Sequence, residues 1–406
     1  MAENIFVMSI TKILSITAQK PNSTGSGTYL TEIVKAFDSF GCRQAVVAGV
    51  YQEDIPSVKF PEGVSFYPVF FDEQNPIYGM SDSMPYPSAL YSSLDEASLT
   101  AFEARFKPVL RKAVEELDPD IIYCHHLFVL TALVRRLFPD KKVYGQCHGT
   151  DLRQFINCKQ LQEHVREGIA GLDRIICLHH EQYRQIVDLF DIDDADKGKI
   201  SVVGCGYNEE LFYPGSRRYS NDGRAEFLYA GKLCRAKGVN ELLHAVASPA
   251  LSDRDFSLTL AGGCQDEGTL SIYESVESER IRWVGPLPQN ELAELFREKD
   301  VFVLPSYFEG LCLAVIEALA SGMLVICTDL PMREWVDENI PDNNIIYVEL
   351  PEMAGLDRPV SGGEAVLEER LEEAFVQAME RLGEERTQPD MRMARWASVA
   401  EKILTK

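Results

Sequence analysis

Short apolar runs rich in β-branched and aromatic residues alternate along this chain with amphipathic stretches of helical period, the pattern of parallel sheets covered by helices. In the first half the runs fall at Lys12–Thr17, Ala45–Val50, Val64–Phe71, Asp120–His125, Lys142–Cys147, Arg174–Leu178 and Ile200–Val203. In the second they fall at Glu226–Ala230, Ser257–Ala261, Ile281–Val284, Val301–Leu304, Leu324–Cys327 and Ile345–Val348. Two doubly wound α/β sheets are predicted, each with its own core. Between them Asn208 to Arg224 contains Tyr213-Pro214-Gly215 and Ser220-Asn221-Asp222-Gly223, turn formers without a period, which makes this segment the expected hinge. The predicted domains are residues 1–207 and 208–390. An amphipathic tail with Trp396, Val399, Ile403 and Leu404 follows Thr387-Gln388-Pro389-Asp390, so residues 391–406 are expected to return and pack on the first domain.

Length supports two domains, since 406 residues exceed what one hydrophobic core usually serves. The net charge of −23 argues against nucleic acid as a partner, because phosphate backbones are bound by excess Lys and Arg. It argues equally against wholesale adhesion to anionic lipid. Residues 201–406 contribute −16 of that charge, with 20 basic and 36 acidic side chains. In the first half Arg105, Lys107, Arg111, Lys112, Arg135, Arg136, Lys141 and Lys142 form a basic group interleaved with acids, which reads as a solvated face more readily than as a membrane contact. No apolar run reaches spanning length and Met1 to Ile10 lacks a signal-type pattern, so a cytoplasmic protein is expected. Ten cysteines are scattered without a Cys-x-x-Cys pair, which points to reduced core thiols and not to disulfides or a metal site.

In open α/β sheets ligands bind beyond the carboxyl ends of strands, so with two sheets the expected site is a cleft between them. Every chemically interesting segment sits where a predicted strand ends. After Val301–Leu304 comes Pro305-Ser306-Tyr307-Phe308-Glu309-Gly310-Leu311-Cys312, then apolar residues of helical spacing from Leu311 to Ala320. Glu309 is expected in the turn and Glu317 about two turns into the helix, with the amides of Gly310, Leu311 and Cys312 open at its start to receive a phosphate. Taken alone, the two acids read equally as a capping residue and a solvated helix residue. After Ala230 the turn Gly231-Lys232-Leu233-Cys234-Arg235-Ala236-Lys237-Gly238 places three cations before a helix, suited to a diphosphate that leaves with extra negative charge. It is not a P-loop, since the Gly-Lys-Ser/Thr ending is missing.

In the first half Pro21-Asn22-Ser23-Thr24 leads to Gly25-Ser26-Gly27, where small residues let a phosphate or sugar approach the backbone. Position 30 is Leu and no acid ends the next strand, which disfavours a nicotinamide dehydrogenase. Lys142–Cys147 ends in His148-Gly149-Thr150-Asp151, and the strand before it ends in His125-His126. His148 suits a sugar hydroxyl, with a structural histidine as the competing reading for it and for the other two. These histidines with Asp151 lack the ligand spacing of a metal site.

Together these segments resemble a family 4 retaining glycosyltransferase of the GT-B fold over nearly the whole chain. The resemblance rests on Gly25-Ser26-Gly27, His148-Gly149, Gly231-Lys232 with Lys237-Gly238, Trp283-Val284-Gly285 followed by Leu295-Phe296, Pro305-Ser306 with Glu309-Gly310 and Glu317, and the Trp396 helix. It implies two Rossmann-like domains with the terminal helix crossing back. It further implies that Lys232 and Lys237 hold a nucleotide diphosphate, Glu317 the ribose diol, and Glu309 with the amides of Gly310, Leu311 and Cys312 the donor sugar. Gly25, Ser26 and Gly27 would approach the diphosphate, His148 the sugar near C6, and Val284, Pro286 and Leu287 the base. The implied catalytic set is Lys237, Glu309, His148 and Lys232.

The implied reaction is retaining transfer of a hexosyl unit from a nucleotide-diphosphate sugar, uridine being the family's commonest base, without metal or other cofactor. Lys232 stands where many relatives have Arg, Leu311-Cys312 replaces the common aromatic–glycine, and Gly204-Cys205-Gly206-Tyr207-Asn208 departs from the usual asparagine–glycine–valine–aspartate. A nucleotide-sugar epimerase, a phosphorylase-type enzyme and a catalytically silent nucleotide-sugar sensor remain as alternatives. The loop from Asp72 to Tyr91 is expected as a lid or acceptor wall whose Tyr78, Tyr86 and Tyr91 either stack on a sugar or pack. The acidic surface leans towards a soluble acceptor.

Overall fold

The computed structural model describes residues 10–81, 84–215, 223–264, 266–355, 357–384 and 387–405. The chain divides into two compact units, one running up to Cys205 and resuming at Trp396, the other spanning Gly206–Arg395.

The first unit is built on seven parallel strands: β1 (Lys12–Thr17), β2 (Arg43–Tyr51), β3 (Ser65–Phe71), β6 (Ile121–His125), β7 (Val143–Gln146), β8 (Arg174–Cys177) and β9 (Ile200–Val202), in the order β3-β2-β1-β6-β7-β8-β9. Central strands are buried on both faces because helices cover both, so their runs are continuously apolar instead of alternating. Strand order reverses between β1 and β6. There neighbouring connections leave the sheet on opposite faces and open a crevice at the carboxyl ends. The second unit repeats the plan with six parallel strands: β10 (Ala225–Ala230), β11 (Phe256–Ala261), β12 (Ile281–Gly285), β13 (Val301–Leu304), β14 (Leu324–Thr328) and β15 (Ile345–Val348). Their order is β12-β11-β10-β13-β14-β15, and the reversal lies between β10 and β13.

Two expectations change. The expected hinge does not stand apart as a linker: its described part, residues 208–215, packs on the second unit. Phe212 is buried edge-on against Phe296 at 5.4 Å, Arg297 Nη1 donates to Leu211 O at 2.5 Å, and the Arg297 guanidinium lies 4.8 Å from the Tyr213 ring centre. Apolar and cationic partners for Phe212 and Tyr213 outweigh the turn chemistry of their neighbours. Ser220, Asn221 and Asp222 lie outside the described residues. The loop from Asp72 contains a short parallel ladder, β4 (Tyr78–Gly79) with β5 (Ala89–Leu90). Its aromatics pack: Tyr91 is buried edge-on to Phe128 at 4.9 Å, and Tyr86 Oη donates to Gln19 Oε1 at 2.8 Å.

The basic residues of the first unit are largely spent on local partners. Arg135 pairs with Asp173, Arg136 with Glu103, Lys107 with Glu103 and Lys141 with Asp118, while Arg105 Nη1 donates to Phe70 O. Among the described residues no helix is long and apolar enough to cross a membrane.

The helix Trp396–Leu404 packs on the helix Gly25–Ser39, its Trp396 ring edge-on to Tyr29 at 4.8 Å. Arg174, 5% exposed at the start of β8, closes its C-terminal end: Nη1 donates to Ile403 O at 2.7 Å and Nη2 to Lys402 O at 2.9 Å. A cation on terminal carbonyls satisfies acceptors that have no helical partner. Arg174→Ala should therefore lower unfolding stability by about 1.5–3 kcal/mol and speed amide exchange across Trp396–Leu404. Exchange in that helix indistinguishable from the parent's would refute the clamp.

Candidate functional site

Both switch points are where the chemistry collects. In the second unit β10 runs into Gly231, whose N–H donates to Ala261 O at 2.9 Å. Gly262 lies so close that a Cβ there would sit 1.8 Å from Gly231 O, with its own N–H on Gly285 O at 2.8 Å. A turn of tight helix over Arg235–Lys237 follows, then Gly238 at φ +64, where a Cβ would lie 2.0 Å from Pro305 O. Only glycine lets the turn after β10 touch the loop after β13 in this way. Tyr307 N–H donates to Ala236 O at 3.1 Å and joins the two segments.

That contact brings Lys237 Nζ to 2.6 Å from Glu309 Oε1, with 27% and 11% of the two side chains exposed. Ser306 Oγ donates to the same oxygen at 2.8 Å, and Thr328 Oγ1 holds Ser306 through its carbonyl at 2.5 Å. Burial works against the Lys237 ammonium, yet the adjacent carboxylate prevails and its pKa is raised. Lys232 behaves oppositely: burial lowers its pKa, against a pull from Cys234 that outweighs the added repulsion from Lys237. Its carbonyl accepts the Tyr229 hydroxyl at 2.6 Å. Arg235, the third cation of the turn, is instead drawn to Glu364 at 2.6 Å and stays about half exposed.

The helix after β13 begins at Leu313 and not at Leu311, with Cys312 extended at its cap. Glu309 is tied to Lys237 and Ser306, which holds Gly310, Leu311 and Cys312 in the loop. Val315 and Ile316 donate to Cys312 O, and the Ala314 amide reaches the Cys312 sulfur, so Cys312 takes up the first amides of this helix. Glu317, 9% exposed, accordingly lies one turn into the helix and not two. The Cys312 thiol is pushed up to about 12 by burial and by Glu309. Val284 and Pro286 are exposed and Leu287 is half-buried, at the end of edge strand β12 beside the Gly285–Gly262 bond.

In the first unit Thr24 caps the helix Gly25–Ser39, its Oγ1 accepting from Gly27 N–H at 3.2 Å. Gly25, Ser26 and Gly27 form the first helical turn. A Cβ on Gly27 would meet Lys20 O at 2.8 Å, whereas Gly25 faces open space. Next to this end, β6 and β7 deliver His125, His126 and His148. Asp151, fully buried, binds both crossings: Oδ2 accepts from Leu127 N–H at 2.7 Å and Oδ1 from His148 N–H at 3.1 Å. His125 Nδ1 and His148 Nε2 share a hydrogen bond of 3.1 Å with the rings 14° from parallel. His126 is held at φ +71, with its ring 4.7 Å from that of His148. Tyr29 stands edge-on to His148 at 5.2 Å, and its hydroxyl donates to Gln146 Oε1 at 3.2 Å.

The fold thus unites Lys237 with Glu309 and His148 with His125. Sequence reasoning quoted Ser306 in a motif without giving it a role, and missed Thr328, Gly262 and Tyr29. The pair Gly262-Gly263 at the end of β11 was a readable signal; Tyr29 and Thr328, inside elements, carried none.

A family described as "Glycosyltransferase Family 4" matches residues 23–211, and one described as "Glycosyl transferases group 1" matches residues 217–342. D-inositol 3-phosphate glycosyltransferase of Corynebacterium glutamicum is 34% identical over 161 residues, 35% of this chain and 38% of that protein. The match therefore spans well under half the length of this curated relative. Sucrose-phosphate synthase of Thermosynechococcus elongatus superposes with a TM-score of 0.67 at 16% identity, covering 97% of each chain. The catalytic domain of starch synthase IV from Arabidopsis thaliana, solved with ADP and acarbose, gives 0.62 at 13% identity over 97% of this chain and 98% of that one. Two consecutive family matches, on a fold with a switch point in each parallel sheet, place this chain among the group 1, family 4 glycosyltransferases of the GT-B fold.

Proposed function

We propose that the chain transfers a hexosyl unit from a nucleotide-diphosphate sugar to an acceptor hydroxyl, with retention and without a metal. The observation that carries this reading is the Lys237–Glu309 pair at the second unit's switch point. One ammonium, one carboxylate and the neighbouring Lys232 suit a ligand with an anionic end and a polyhydroxylated end. In this reading Lys232 and Lys237 neutralise the diphosphate as the anomeric C–O bond breaks. Glu309, with amides at the following helix start, orients the sugar, and Glu317 takes the ribose diol. Gly25, Ser26 and Gly27 supply a backbone approach for phosphate, His148 a sugar contact, and Val284, Pro286 and Leu287 a surface for the base. The acceptor oxygen bonds to the anomeric carbon on the face the diphosphate leaves, and its proton passes to the departing phosphate oxygen. Cations preorganised on the leaving group stabilise charge that grows only in the transition state. Glu309 and Glu317 stand on one loop–helix segment and bind, where a hydrolase would flank the scissile bond with its two acids.

Relatives support the donor class: the C. glutamicum protein is named a glycosyltransferase and the starch synthase was solved with ADP. UDP-sugars are the first donors to test, with a soluble hydroxylated acceptor in the cytoplasm.

Lys237→Ala should cut turnover about 10²–10³-fold while circular dichroism reports a folded protein, and Lys237→Arg should recover part of the loss. Turnover in Lys237→Ala equal to the parent's would remove the diphosphate role. A thermal-shift screen of nucleotide sugars should find a donor that raises Tm, by about 2.7 kcal/mol of stabilisation at a hundredfold excess over Kd. EDTA should leave both shift and turnover unchanged. No shift with any nucleotide sugar would overturn the donor class.

A further inference from the structure

We infer that His125 is a positioning residue for His148, fixing its ring proton on Nδ1 so that His148 meets the donor sugar as a neutral hydrogen-bond donor. The inference rests on the proposed transferase reading for what His148 touches, but not for its tautomer. His125 Nδ1 and His148 Nε2 lie 3.1 Å apart, so one must carry a proton and the other a lone pair. His125 is 2% exposed, and among the described residues its Nε2 has no hydrogen-bond partner. If His148 donated, the His125 proton would sit on that Nε2 and leave an N–H buried and unpaired. With the proton on Nδ1, only a lone pair is orphaned. Unpaired buried N–H groups are the rarer of the two, so His125 donates to His148 Nε2. The proton of a neutral His148 is then on Nδ1.

The same bond opposes charging. A His148 imidazolium would have to donate through Nε2 and force the His125 proton onto the unpaired side. Among the described residues, Tyr29 from the helix Gly25–Ser39, Tyr123 on β6 and His126 pack on this pair, and the one carboxylate beside them, Asp151, is committed to the backbone N–H groups of Leu127 and His148. Burial first, then His126 and His125, hold the His148 pKa well below the ordinary 6.5. A neutral donor suits the position, since an imidazolium beside a sugar ring that becomes oxocarbenium-like would oppose the charge developing there. The class of group recognised is one that accepts a hydrogen bond, a sugar hydroxyl foremost.

Long-range ¹⁵N–¹H correlation spectra of the histidine-labelled full chain at pH 7.5 test this directly. His148 should show the Nδ1-protonated tautomer, unaltered down to about pH 5.5. In His125→Phe the tautomers should mix, because Phe offers no donor to His148 Nε2. His125→Asn, whose amide can donate in place of Nδ1, should restore the single tautomer. A parent His148 protonated on Nε2, or a His125→Phe protein with unchanged tautomer, overturns the inference. If His125→Phe fails to fold, the parent and His125→Asn spectra still decide it. Absence of turnover with every nucleotide sugar defeats the transferase reading alone, because the spectra need no substrate.

Discussion

The second unit's site depends on one contact, the turn after β10 lying against the loop after β13 with Gly238 backed onto Pro305. Any side chain at position 238 would fill the 2.0 Å gap to the Pro305 carbonyl and push the two segments apart. Because they touch, Lys237 and Glu309 meet at 2.6 Å with most of both side chains out of water. Such a pair resists being broken from one side, since an uncompensated charge would remain in a poorly solvated place. The arrangement is therefore ready before any ligand arrives. Ser306, fixed by Thr328, keeps the carboxylate oriented.

Much of the architecture was legible because parallel strands covered on both faces must be continuously apolar. All thirteen predicted runs are strands, with ends displaced by no more than two residues. The positions of the chemical segments were legible for a related reason. A doubly wound sheet exposes its crevice where strand order reverses, and Gly25–Gly27, His125, Lys237 and Glu309 all follow strands that flank such a reversal.

What could not be read depended on partners far along the chain. Helical spacing placed the helix start at Leu311, but the grip of Lys237 on Glu309, 72 residues away, keeps Gly310 to Cys312 in the loop. Proline, glycine and asparagine marked 208–224 as a linker, yet Phe212 and Tyr213 found Phe296 and Arg297. The alternating register that would betray a strand is absent from a two-residue ladder such as Tyr78–Gly79 with Ala89–Leu90. His125 and His126 read more readily as structural residues, because their contact with His148, carried by a different strand, leaves no mark in the sequence.

Charge presents the remaining puzzle, an acidic protein whose more acidic half holds the proposed diphosphate site. Residues 201–406 carry −16, so the long-range field of that half repels the ligand. Screening over about 8 Å at physiological salt confines that repulsion to the surface, where most of those acids lie. One such pair, Glu364 with Arg235, even removes a cation from the turn. In the proposed reading recognition comes from groups within contact distance: Lys232, whose charge is made costly by burial, and the amides of a helix start. Each gains most when a dianion displaces water and offsets that cost. A net charge of this sign weighs against a nucleic acid polymer, whose binding needs many cations, without weighing against a single proposed diphosphate held by local contacts.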